Sequence, residues 1–411
     1  MKKFRALIIG NDINAYYLAR CYHEFTGEKA DLLSIIIPGE KTFAYTRYTK
    51  ILNIKYVENL WDEKVFLSEL DKYYEEHKKE KILLVSSNET YGEFIAKNKS
   101  KLKSKFFFNY PSVKLQHTLV NKEDFYKTYA DSVIDLPRSI YYDCTKDEEI
   151  KSEDITFPVI VKPANVILFK HINFVGKKKI YKLDTMEELL DVIDKFKKGN
   201  YTDTIIIQEY IPGDDSHLFD AVVYADKNKK VKMVSFAQIG LQEHAPRMIG
   251  NAAVIINGYS QYPGVEEQIE KIRKFTEKIG YQGFAEFDMK YDARDGKYKV
   301  MEINARQGRC SYYITPAGFN LIELLYKDLI EGKELKYKVC DKEVLETFVP
   351  KCVVKKYITN EEFKKKALSM WKNRTEALNY KKDNGFLRKL LLLKIRYNYI
   401  KAYKEFKWDW K

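Results

Sequence analysis

The stretch that decides the fold is Gly283-Phe284-Ala285-Glu286-Phe287-Asp288-Met289-Lys290-Tyr291-Asp292, a turn through Ala293-Arg294-Asp295-Gly296, and then Lys299-Val300-Met301-Glu302-Ile303-Asn304-Ala305-Arg306. Its spacing predicts an antiparallel hairpin. Alternation puts Glu286 and Asp288 on one face of the first strand. On the second strand it groups Glu302, Asn304 and Arg306, and turns Met301, Ile303 and Ala305 the other way into a core. Oxygen ligands on facing strand positions suit a Mg²⁺ ion held against a polyphosphate. An arginine one step along would neutralise developing phosphoryl charge. A solvated hairpin face carries the same alternation, so the rest of the chain has to decide.

The 411 residues predict two to three domains, and 45% apolar with 14% aromatic residues suffice for sizeable cores. The opening Met1-Lys2-Lys3-Phe4-Arg5 is followed by only a short apolar run before Gly10, which is no secretory segment. No run of about 18 apolar residues predicts a membrane span. Five cysteines without a CxxC spacing argue against a disulfide framework, so a cytoplasmic protein is expected. A net charge of +13 favours anionic ligands, and nucleic acid or an anionic membrane would answer it equally.

Along the chain, Arg5 to Ile9 reads as a strand, Asn14 to Phe25 as a helix, Leu32 to Pro38 and Lys81 to Ser87 as further strands, and Glu93 to Lys103 as a helix. The first 115 residues therefore form a small three-layer α/β domain. Only Gly10 stands where a GxGxxG fingerprint would lie, which argues against a dinucleotide site. Phe157 to Pro163 is a buried strand delivering Lys162 at its end, a compact charge suited to phosphate oxygens. Ala164 to Lys179 reads as a basic hairpin loop. Thr204 to Ile211 is a β-branched strand entering a Pro-Gly turn. Leu218 to Tyr224 and Lys232 to Ile239 form an antiparallel pair in the sheet that the opening hairpin closes.

The order of these parts resembles the ATP-grasp superfamily, and within it the carboxylate-amine ligases such as D-aspartate ligases, over about Arg5 to Leu335. The resemblance implies an α/β (α+β) fold. It comprises a Rossmann-like pre-ATP-grasp domain (1–115), an ATP-grasp domain with antiparallel sheets (116–335, in subdomains 116–203 and 204–335) and a basic, partly helical C-terminal extension (336–411). It implies that Lys122, Lys162 and, more weakly, Lys179 hold ATP phosphates. Gln208, Glu209, Tyr210 and Ile211 take the place of the adenine hinge, and Asp215 that of the ribose acid. Asp288, Glu302 and Asn304 match ligands of Mg²⁺ or Mn²⁺, with Glu286 the alternative first ligand on the same face. Arg306 matches the group that stabilises the transferring phosphoryl, Arg247 the anion contact to substrate, and Arg309 a secondary substrate contact. His244 and Cys310 read as bystander and packing residue. The loop from Asn165 to Gly176 departs from the usual Gly/Ser-rich pattern through Phe169, His171 and Phe174.

The implied reaction phosphorylates a small-molecule or nucleotide-linked precursor carboxylate with ATP, and an amino-acid amine then displaces phosphate to give an amide. A peptidoglycan precursor and D-aspartate are the implied pair, and a silent ATP-binding regulator is the competing reading. No specific nucleic-acid partner is expected. The last 31 residues hold ten Lys or Arg against three acids. Phe386 to Tyr397 within them reads as a basic amphipathic helix which, with Trp408 and Trp410, would contact the inner face of an anionic membrane or pack on the body.

Overall fold

A computed structural model describes residues 3–36, 44–146, 148–178, 180–245, 248 and 250–406. Lys179, Arg247, Trp408 and Trp410 lie outside the described residues. The first sheet holds β1 (Phe4–Ile9), β2 (Ala30–Ile36), β3 (Leu52–Glu58) and β4 (Lys81–Ser86), all parallel in the order β3-β2-β1-β4. Near-continuous apolar runs such as Phe4 to Ile9 suit a sheet covered on both faces. Ala6 and Ile8 pack with the helix Ile13–Thr26, while Leu7 and Ile9 pack on the other side with Phe66, Leu70 and Ile95. β3 carries five polar or partly exposed positions among its seven, which hid it from a hydrophobicity reading.

The second sheet holds β5 (Ser139–Asp143), β6 (Val159–Pro163), β7 (Tyr181–Leu183) and β8 (Thr204–Glu209), antiparallel in the order β5-β8-β6-β7. The helix Met186–Lys198 covers it through Leu189, Val192, Ile193 and Phe196. The expected basic hairpin loop between β6 and β7 contains a short helix instead, Val166–His171. Asn165 initiates it, its Oδ1 accepting the Leu168 N–H at 3.1 Å. Phe169 stacks on Phe196 with ring centroids 5.3 Å apart, and Phe174 lies 5.5 Å from the same ring. The two phenylalanines that set this segment apart are thus packing groups, while His171 is exposed.

The third sheet has eight strands: β9 (Leu218–Ala225), β10 (Val231–Ser235), β11 (Ala237–Gln242), β12 (Ala252–Asn257), β13 (Gly283–Asp292), β14 (Lys297–Asn304), β15 (Lys338–Cys340) and β16 (Val344–Thr347). Six run in the order β14-β13-β9-β11-β12-β16, and β10 pairs with β9 and β15. The strand expected over Lys232 to Ile239 bends at Phe236 into β10 and β11, both of which pair with β9. β15 and β16 fall in the segment expected as a C-terminal extension, yet they complete this sheet. The C-terminal helix Phe386–Glu405 then returns to pack on the body.

Candidate active site

The hairpin β13–β14 builds the site. Its register sets Asp288 opposite Glu302 and Glu286 opposite Asn304. On its other side β13 pairs with β9, which sets Asp288 opposite Asp220. Three carboxylates therefore stand side by side across three strands, an arrangement that like-charge repulsion disfavours unless a cation answers it. Oδ1 of Asp220 is buried and finds no hydrogen-bond donor among the described residues. Asn304 donates its amide to Glu286 Oε2 and Asp288 Oδ2, both at 3.1 Å, which leaves its carbonyl oxygen as a further acceptor.

Burial pushes the Asp220, Glu286 and Asp288 carboxyls well above the ordinary range, and their mutual charge adds to it. Lys122, the first residue of the helix Lys122–Thr128, contacts Glu302. Burial disfavours its charge, but Glu302, Tyr126 and Asp288 together outweigh this and hold the lysine above its ordinary pKa. Arg306 lies 3.6 Å from both Glu286 and Glu89 and donates to the Gln307 carbonyl at 2.9 Å. Gln307 in turn donates to the Ser86 carbonyl at 3.0 Å, so the end of β4 fixes the loop that carries Arg306. Gly308 is demanded by space, since a Cβ there would fall 1.3 Å from Glu286 Oε1. Four carboxylates answered by Lys122 and Arg306 offer the hard oxygen donors that Mg²⁺ or Mn²⁺ takes, although no three acids among the described residues converge closely enough to enclose an ion as they stand.

These groups line one cavity of about 440 Å³. Its lining also includes Lys162, Ile180, Leu218, Met289 and Met301, apolar apart from the lysine, together with Gln242, Asn251, Arg309 and Cys310. Met301 corrects the alternation reading, which placed it in the core. Pairing shifts between Asp288–Glu302 and Met289–Val300, leaving Met301 in a bulge that turns it into the cavity. Alternation also misses Asp220, whose signal was an acid inside an otherwise apolar strand.

Lys162 is buried and donates to Gln208 Oε1 at 2.9 Å and to the Tyr126 hydroxyl at 3.3 Å. Gln208 reaches the cavity through that lysine. The next hinge side chains turn elsewhere. Glu209 pairs with Lys299 at 2.8 Å and Arg294 at 3.0 Å, and accepts the Arg138 N–H at 2.9 Å. Tyr210 lies near the ammonium groups of Lys182 and Lys290, at 4.9 and 5.3 Å from its ring centre, and Ile211 is buried. Asp215 accepts the backbone and side-chain N–H groups of Gln242, both at 2.8 Å, tying the hinge to β11. Arg309, also on the cavity wall, pairs with buried Glu243 at 2.9 Å and donates to the Tyr399 hydroxyl at 3.2 Å, so the C-terminal helix supports this part of the lining. Cys310 donates to the Ala252 carbonyl at 2.9 Å, and burial raises its thiol well above the ordinary value, as a packing residue requires. His244 packs against Tyr403 with the rings tilted and their centres 4.5 Å apart.

No family model matches the sequence. The D-aspartate ligase of Enterococcus faecium (strain Aus0004) is 32% identical over 418 residues, covering 98% of this chain and 97% of the relative. Among solved structures, N5-carboxyaminoimidazole synthetase from Staphylococcus aureus complexed with ADP superposes with a TM-score of 0.57 at 15% identity, over 84% of this chain and 82% of that one. The biotin carboxylase domain of Hydrogenobacter thermophilus 2-oxoglutarate carboxylase, in complex with MgADP, ADP and bicarbonate, gives 0.56 at 16% identity, over 83% and 72%. The two structures share the fold.

Proposed function

Because the chain belongs to the D-aspartate ligase family of ATP-grasp enzymes, ATP-dependent ligases that join a carboxylate to an amine, we propose that it adds an acidic amino acid, D-aspartate by analogy with its relative, to a carboxylate of a peptidoglycan precursor in the cytoplasm. The observation that carries this reading is the ladder Asp220–Asp288–Glu302 on the wall of a cavity that also carries Lys122, Lys162, Arg306 and Arg309 beside apolar side chains. The apolar side chains of the lining would pack on the adenine of ATP, and the arginines would answer the charge of the substrates.

In this reading the substrate carboxylate takes the γ-phosphoryl of ATP to form an acyl phosphate, and the amine displaces phosphate. Asp288, Glu302 and Asn304, with Glu286 and Asp220 beside them, would hold Mg²⁺, which when bound offsets the negative charge of the phosphate oxygens. Lys122 and Lys162, both on the cavity wall, would answer the charge of those oxygens. Arg306, pinned through Gln307 to the end of β4, faces the place where negative charge grows on the transferring group and on the tetrahedral carbon's oxygen. Arg309, fixed by Glu243 and Tyr399, presents a second cation to a substrate carboxylate. Positioning does the work, and no protein nucleophile is called for.

The test measures ADP formed from Mg²⁺-ATP across a panel of D- and L-amino acids, with and without a UDP-linked muramyl peptide. The reading expects ADP only when a carboxylate and an amine are both present, with D-aspartate foremost. ADP formation indifferent to every pair would refute it.

A further inference from the structure

The C-terminal helix Phe386–Glu405 is apolar on two opposite faces, and only one of them is covered. Its inner face, Arg388, Leu392, Ile395, Tyr399 and Tyr403, recurs every three to four residues and packs on the body. Arg388 locks it there, donating to the Tyr45 and Arg47 carbonyls at 2.7 and 2.9 Å and lying 4.0 Å over the Tyr16 ring. Phe386, Leu390, Leu393 and Tyr397 follow the same spacing on the other side, with Leu387 beside them. They are 75%, 48%, 57%, 66% and 54% exposed, in that order. A run of large apolar groups left in water on one helix marks a surface that is covered in use.

We propose that this outward face is a docking surface for an anionic lipid bilayer. The cations of the helix decide the occupant. Arg388 and Arg396 are engaged with Asp383 and Glu376, whereas Lys389, Lys394, Lys401 and Lys404 are exposed, with Lys389 on one flank of the apolar stripe and Lys394 and Lys401 on the other. Leu, Phe and Tyr side chains flanked by lysines match the boundary between acyl chains and anionic headgroups, where lysine stems lie along the apolar layer and their ammonium groups reach the phosphates. A second copy of the chain would fit poorly, since pairing this face with itself sets lysine against lysine. The contact is peripheral, because no helix among the described residues is long and apolar enough to cross a membrane. The helix would lie in the membrane plane with its inner face still on the enzyme. The inference stands on the faces of this helix and is independent of the ligase reading.

The test is sedimentation of the full chain with vesicles of phosphatidylcholine alone, or of phosphatidylcholine mixed with phosphatidylglycerol. The wild type should pellet with the anionic vesicles, less so as salt rises, and stay in solution with the neutral ones. Leu390→Glu/Leu393→Glu should abolish pelleting while leaving the unfolding temperature and ADP-forming activity in solution unchanged. Lys389→Gln/Lys394→Gln/Lys401→Gln should weaken it about a hundredfold. No pelleting of the wild type, or equal pelleting of the leucine variant, would overturn the proposal. So would sedimentation velocity showing a dimer that the leucine variant dissolves, since the covering partner would then be a second copy.

Discussion

At the scale of single residues the site is governed by repulsion. Asp288 has Glu302 opposite it on one strand and Asp220 on the other, and burial keeps water from Asp220 while the Glu302 side chain stays 41% exposed. Glu302→Gln keeps the shape and removes one charge. We expect an intact fold and a loss of ADP-forming turnover on the order of a hundredfold or more, read from steady-state kinetics beside a thermal melt; unchanged turnover would remove Glu302 from the metal set. A second buried acid makes a pH prediction. Glu346 accepts the Tyr313 N–H at 2.7 Å, and burial pushes its carboxyl up to about 8. An unfolded glutamate titrates at about 4.3. Between those values the folded state keeps a proton that the unfolded state has lost, so this group's contribution to stability falls as pH rises through the window. Glu346→Gln should therefore raise the unfolding temperature at pH 8 by about 2 °C or more and leave it nearly unchanged at pH 4.5. Much of this scale was legible in the sequence: Glu302, Asn304 and Arg306 announce themselves by alternation. Asp220 did not, because its meaning comes from a strand more than sixty residues before its partner.

At the scale of elements the hairpin shows where pattern reading stops. Its register and turn follow from a period of two, but a bulge adds one residue to β14 and reverses Met301 without altering composition. Neighbouring substitutions separate the two placements. Met301→Ala should raise KM for ATP severalfold with little change in stability. Val300→Ala, in the fully buried core, should cost about 2 kcal/mol of stability in chemical denaturation and leave KM for ATP alone. The opposite pattern would restore the strict alternation. The helix Val166–His171 was hidden for a related reason: six residues are too few to display a helical period, and only Asn165 as an N-cap gave it away.

At the scale of the molecule, the central sheet draws strands from residues 218 to 347, and Arg306 is held from the end of β4 in the first sheet. The order of motifs made the architecture readable, because each local unit is built from near neighbours. The placing of β15 and β16 was not readable, since β16 pairs with β12 across nearly ninety residues and neither short strand carries a distinctive pattern. The two-faced C-terminal helix was half readable: basic and apolar in sequence, its buried face becomes visible only against the body. The central claim is that a substrate carboxylate is activated as an acyl phosphate in the cavity between Lys162 and Arg309. The measurement that tests it most directly follows ¹⁸O from a labelled substrate carboxylate during turnover with ATP and the amine. The account predicts one ¹⁸O atom in each inorganic phosphate released. Amide formed with unlabelled phosphate would contradict it.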